Sequence, residues 1–134
     1  MSKKELDYEY PNMLKFILAR EGGYANRKND MGGPTNKGVT QVTYNSYRRS
    51  KNLPTKDVRY ITQDEVEDIY YNNYYKASGA DEIENPRLAL YVFDTAILHG
   101  VYDAKQMLKK SGGNLEKFEQ LRRDHYYKVV EEKP

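Results

Sequence analysis

The sequence predicts a mainly α protein, an α+β fold of about six helices with one small β-hairpin near its N-terminus. Three observations carry this. Apolar residues recur at helical spacing along most of the chain, caps and breakers separate those stretches, and glycine and proline crowd into residues 22–39. At 134 residues the chain fits one domain, 1–134, long enough to bury a proper core.

Pro11 suits a first helical position, Met13, Leu14, Ile17 and Leu18 share a face, and Gly22-Gly23 can end a helix over 11–21. Glu21 then falls in the last turn, at the negative end of the helix dipole, where a cation would be favoured by about 0.3–1 kcal/mol. Gly32, Gly33, Pro34 and Gly38 are too much turn chemistry for a helix, and two short strands joined by a turn are expected within 24–39. Thr40 can cap a helix over 41–50, which Leu53-Pro54 ends. Thr62-Gln63-Asp64-Glu65 is a capping box, opening a helix expected to reach Lys76 and stop near Gly79. Along it Ile69, Tyr70, Tyr71, Tyr74 and Tyr75 form an aromatic face that reads as core or as a groove wall.

Asn85-Pro86 caps a helix over 87–98 that has almost no polar face, so it should be central and buried. Asp94 is its one acid and must be paired, hydrogen-bonded or protonated, because a bare buried carboxylate costs several kcal/mol. His99-Gly100 closes this helix. A short helix over 102–110 follows, Ser111-Gly112-Gly113 breaks it, and Asn114 caps a last one carrying Leu115, Phe118, Leu121, His125 and Val129 on a stripe.

Composition removes several chemistries. There is no cysteine, and only His99 and His125 are available, neither in a His-Glu-x-x-His spacing. No serine lies in a Gly-x-Ser-x-Gly elbow, and the glycine-rich segment lacks the order of a phosphate-binding loop. A net charge of +2 with alternating signs does not argue for a nucleic-acid partner and would equally suit an anionic polymer such as a cell wall. No apolar run approaches the roughly 20 residues of a membrane span. Fourteen tyrosines and no tryptophan give many flat rings with polar tips, suited to sugars and wet interfaces, or they are only the favoured aromatic.

Carboxylates remain. Glu21 and Asp30 are joined by a glycine-containing loop that could set both across one site. Two acids in unequal environments are what glycoside hydrolysis uses, one protonated as general acid and one ionised. Glu21 is the acid candidate, Asp30 the base or electrostatic partner, and Thr35, Asn36 and Thr40 could hold a water or a sugar hydroxyl. On spacing alone the same residues read equally well as a solvated helix end, a turn former and a cap.

Glu21-Gly22-Gly23-Tyr24 followed by Asn29-Asp30-Met31-Gly32-Gly33-Pro34-Thr35-Asn36-Lys37-Gly38-Val39-Thr40 resembles the signature of glycoside hydrolase family 108, the phage-type N-acetylmuramidases. The resemblance implies Glu21 as the catalytic acid. The interval from Glu21 to Asp30, eight residues intervening, is also similar to that of phage lysozymes whose catalytic set is Glu, Asp and Thr, with Thr35 near the third place. The likeness continues through Ile69-Tyr70 to Tyr75 and through Val92-Phe93-Asp94-Thr95-Ala96. It implies a lysozyme-like fold with helices around a cleft, substrate contacts from Tyr24, Asn36, Thr40, Tyr75, Asp94 and His99, glycan strands of peptidoglycan as the partner, and no cofactor or metal. With no signal-like apolar core after Met1-Ser2-Lys3-Lys4-Glu5, the expected route is synthesis in the cytoplasm or carriage on a virion, with action on the cell wall in the periplasm. Tyr75 stands where the family often has tryptophan, and Leu98-His99 where Asn and a small residue are usual. These departures, with an end at Lys133-Pro134 that reads as a divergent or trimmed part of a longer protein, motivate an alternative: a non-catalytic or weakly active peptidoglycan-binding domain within a phage or secretion assembly.

Overall fold

Residues 9–19, 23–24 and 33–132 are described by the computed structural model of the chain. They fall into two compact units, one within Tyr10–Tyr70 and the other from Tyr71 onward.

In the first unit, helix α1 is Tyr10–Leu18, with Met13, Leu14 and Ile17 buried on the face that their spacing predicts. Ala19 follows it in a turn, its N–H donating to the Lys15 carbonyl at 3.0 Å, and the end expected at residue 21 lies outside the described residues. Glu21 and Asp30 lie outside the described residues. Strands β1 (Thr35–Asn36) and β2 (Val39–Thr40) pair antiparallel, Thr35 opposite Thr40 and Asn36 opposite Val39. Lys37 and Gly38 between them have φ of 54° and 79°, and positive φ at both centres of a two-residue loop is the type I′ turn that matches strand twist.

Helix α2 (Gln41–Ser50) starts as predicted, the Thr40 hydroxyl accepting from the Thr43 N–H at 3.1 Å. A 3₁₀ turn, Val58–Tyr60, leads to α3 (Gln63–Tyr70), which opens on the predicted reciprocal box: the Thr62 N–H donates to Glu65 at 3.1 Å and the Glu65 N–H to the Thr62 hydroxyl at 3.2 Å. The same carboxylate accepts from the Tyr44 hydroxyl at 2.7 Å and from Arg48 at 3.0 Å. Burial pushes Glu65 upward, but these hydrogen bonds outweigh it and hold the carboxyl below the usual glutamate range. Burial and the bond to Glu65 push the Tyr44 hydroxyl up to about 12.

The second unit begins with a difference from expectation. Tyr71–Lys76 is a π-helical turn, not a continuation of α-helix. A π turn carries one extra residue, which changes the phase of the side chains after it. Tyr75 is accordingly buried while Tyr71 stays exposed. After a 3₁₀ turn (Ala80–Glu82), Asn85 caps α4 (Pro86–His99) by accepting from the N–H groups of Arg87 and Leu88. α5 (Val101–Ser111) and α6 (Leu115–Glu132) follow, and α4 packs against both and against the π and 3₁₀ turns. Leu88, Ala89, Val92, Phe93 and Ala96 are buried with Ala104, Met107 and Phe118, so α4 is the central helix of its unit, as its composition predicts. Its end departs from that prediction: Leu98 is 54% exposed.

Candidate active site

The part of the 21–40 signature that is described forms a corner built by side chains rather than by sheet. β1 and β2 are too short to position anything alone, so polar side chains tie the hairpin to the Val58–Tyr60 turn. The Asn36 amide donates to the carbonyls of Val58 and Arg59 at 3.3 and 3.2 Å. Gln41 accepts from the Val58 N–H at 2.8 Å and donates to the Lys56 carbonyl at 2.7 Å. Asp57 caps the turn, accepting from the Arg59 N–H at 2.8 Å. The turn thus fixed carries Arg59 to Tyr24: the guanidinium carbon lies 4.7 Å from the Tyr24 ring centroid, and Nη2 donates to the Tyr24 hydroxyl at 3.3 Å. Tyr24 itself is 37% exposed.

Of the expected residues, the structure brings Thr35 and Thr40 side by side as strand partners next to Asn36. The Thr40 hydroxyl is engaged in its cap and donates to the Thr43 hydroxyl at 3.0 Å. In the same unit an open recess of about 720 Å³ is lined by Lys15, Ala19, Gly23, Lys37, Gln63 and Glu67 among others. Its volume is in the range of ligand sites. Ala19 and Gly23 are the described residues that flank 20–22 in sequence.

Tyr75, Asp94 and His99 belong to the second unit. Tyr75 is 4% exposed and meets Phe93 edge to face at 5.2 Å, which gives it a packing role. Burial pushes its hydroxyl upward. Asp94 is buried and accepts a charged hydrogen bond from Arg122 of α6, whose guanidinium also lies 5.5 Å from the Tyr91 ring. The pairing that a buried acid demands is therefore met across 28 residues of sequence. His99 packs edge to face on His125 at 4.7 Å, and His125 lies 3.6 Å from Asp103. Burial, then His125 and Arg122, push the His99 imidazole below its ordinary value near 6.5, against the smaller upward pull of Asp103 and Asp94. His99 also lines an open groove of about 460 Å³ with Tyr91, Leu98, Arg122, Tyr126 and Tyr127.

Arg59, Gln41 and Arg122 were not legible as site or support residues in the sequence. Arg59 sits between unremarkable neighbours, and only the three-dimensional corner puts it on Tyr24.

The sequence model of the family Glycosyl hydrolase 108 matches residues 14–100. The chain belongs to that family. The match contains all of the 21–40 signature, and it makes this member of glycosyl hydrolase family 108 a glycoside hydrolase by descent. A solved structure, that of Brucella abortus SagA, is similar to the family member described here, with a TM-score of 0.62 at 24% identity, over 85% of this chain and 68% of that one. At that identity the likeness carries the fold, which is mainly α and lysozyme-like with a small antiparallel sheet. No curated protein matches the chain in sequence. Among the described residues no helix is long and apolar enough to cross a membrane.

Proposed function

We propose that this family 108 glycoside hydrolase is a peptidoglycan hydrolase of the N-acetylmuramidase type, cutting the β-1,4 bond between N-acetylmuramic acid and N-acetylglucosamine. The observation that carries the reading is the family match over 14–100, which encloses the signature with its single Glu-Gly-Gly-Tyr. Glu21 protonates the glycosidic oxygen. Asp30, with Thr35, positions water or stabilises the oxocarbenium-like state, and no cofactor takes part. Tyr24, Asn36 and Thr40 shape the sugar-facing corner, while Tyr75 and Asp94 act through packing and charge pairing, a role their burial supports. Glu21→Gln should lower turnover of purified peptidoglycan by about 100-fold or more, the usual size of a general-acid contribution. Mass spectrometry of the released muropeptides, parent against variant, reads both the rate and the bond cut. Digestion at the parent rate by Glu21→Gln would sink the assignment.

The Leu98-His99 departure favours a second reading, a peptidoglycan-binding or structural domain with little turnover, working beside other parts of a phage or secretion assembly. Leu98 is exposed and His99 lines an open groove, so a change there alters a surface rather than a core. Retention on cell-wall sacculi without release of reducing ends is the result that selects it.

A further inference from the structure

Arg59 lies outside the 21–40 signature, and the catalytic reading gives it no task, yet several side-chain hydrogen bonds fix its turn. Its N–H donates to Asp57, its carbonyl accepts from Asn36, and the preceding Val58 N–H is held by Gln41. A surface arginine has no need of so fixed a backbone. What the fixing achieves is the placement of a planar guanidinium over the ring of Tyr24, three residues after Glu21, with Tyr24 as a residue still 37% exposed. Stacked in this way, the guanidinium has lost much of its rotamer freedom before any ligand arrives, which lowers the entropic cost of each later contact. It carries five N–H donors, and among the described residues its hydrogen bond is to the Tyr24 hydroxyl. The planar fork suits a carboxylate, and the ring beneath suits the flat face of a sugar.

We propose that Arg59 is a specificity-determining residue of the glycan site: it holds Tyr24 as a stacking platform and presents its other donors to a carboxylate on the same strand, selecting acidic, peptide-bearing glycan over neutral glycan. The inference deepens the muramidase reading and rests on it for the substrate. Asp57, the acid on the same turn, accepts from the Arg59 N–H through one carboxylate oxygen and also attracts the guanidinium electrostatically, while the guanidinium's hydrogen bond is to Tyr24.

The test uses the full chain with Arg59→Gln, Arg59→Lys and Tyr24→Ala, on peptide-bearing peptidoglycan and on neutral N-acetylglucosamine oligomers. Arg59→Gln should raise KM about fivefold on the acidic glycan, the scale of one partly exposed charge-assisted contact, and leave kcat within about twofold. On the neutral oligomers its KM should rise less. Arg59→Lys should not rescue, since an ammonium cannot lie flat on the ring, and Tyr24→Ala should raise KM on both substrates. An unchanged KM for Arg59→Gln, an equal rise on both substrates, or full rescue by lysine overturns the proposal. Sedimentation with peptidoglycan sacculi separates this from the functional reading. A parent that binds without turnover, alongside an Arg59→Gln variant retained about fivefold less, keeps the inference and removes only the muramidase activity. Equal retention of parent and variant, or no retention of either, overturns it.

Discussion

The corner around Tyr24 and the helical unit around α4 are held together by different physics. In the corner two-residue strands and a three-residue 3₁₀ turn bury just Val39 and Val58 among their apolar side chains, and Asn36, Gln41 and Asp57 fix them by bonds from side chain to backbone. Around α4 the reverse holds: Val92, Phe93, Ala89 and Ala96 are fully buried, and the one charged group on the buried face is matched by Arg122. A packed core resists loss of volume, whereas a polar corner resists loss of direction. Mutations in the first should cost stability, and mutations in the second should cost substrate affinity at nearly unchanged stability.

The largest break should come from Phe93→Ala, which empties a fully buried ring site and should lower unfolding free energy by about 3–5 kcal/mol in denaturant titration. Asp94→Ala comes next. Its side chain is 7% exposed but that of Arg122 is 25%, so solvent shares the stranded charge and the loss should be about 2 kcal/mol, below that of a fully buried pair. Gln41→Ala removes the acceptor of the Val58 N–H and should cost about 1 kcal/mol, while KM rises because the Arg59 turn is released. If Gln41→Ala instead lowered stability as much as Phe93→Ala with KM unchanged, the contrast between the two regions would collapse.

The smallest effect is on pH dependence. His99 is depressed below 6.5 in the folded protein, so below that pH the unfolded chain binds more protons. Stability is then full above pH 6.5 and falls as pH drops through the folded-state value. His99→Gln should flatten that part of a series of thermal melts from pH 7.5 to 5. The groups facing His99 are His125, Arg122, Asp103 and Asp94, and a slope that survives the substitution would show that His99 is not its source.

Local rules reached a good part of this structure from sequence alone. Thr40, the Thr62 to Glu65 box, Asn85-Pro86 and Asn114 state where helices begin, because a cap and its target N–H groups lie within a few residues of one another. The hairpin was legible as glycine excess, and its register was not. The π turn at Tyr71–Lys76 was hidden because Tyr71, Tyr74 and Tyr75 also satisfy an α-helical spacing, and only packing against Phe93 distinguishes the two phases. Asp94 announced that it needed a partner, but Arg122 could not be chosen from the many cations in the chain. The Tyr24 and Arg59 pairing, 35 residues apart, has no periodic signal at all. Sequence thus spoke for Glu21 through its motif and was silent on the residues that orient the motif's neighbours.

Lys37 has a further meaning for anyone redesigning the chain. A lysine at φ 54° occupies a backbone region that Asn or Gly enters with less steric cost, and Asn-Gly is the pair that type I′ loops prefer. The conformation is held by the Tyr70 hydroxyl on the Lys37 carbonyl at 2.7 Å, while the lysine's own ammonium reaches Gln63 at 3.1 Å on the rim of the open recess. Backbone preference and side-chain employment pull the choice of residue in opposite directions at this position. A consensus-minded engineer who wrote asparagine there would relax the hairpin and, in the same stroke, strip a positive charge from the mouth of the recess.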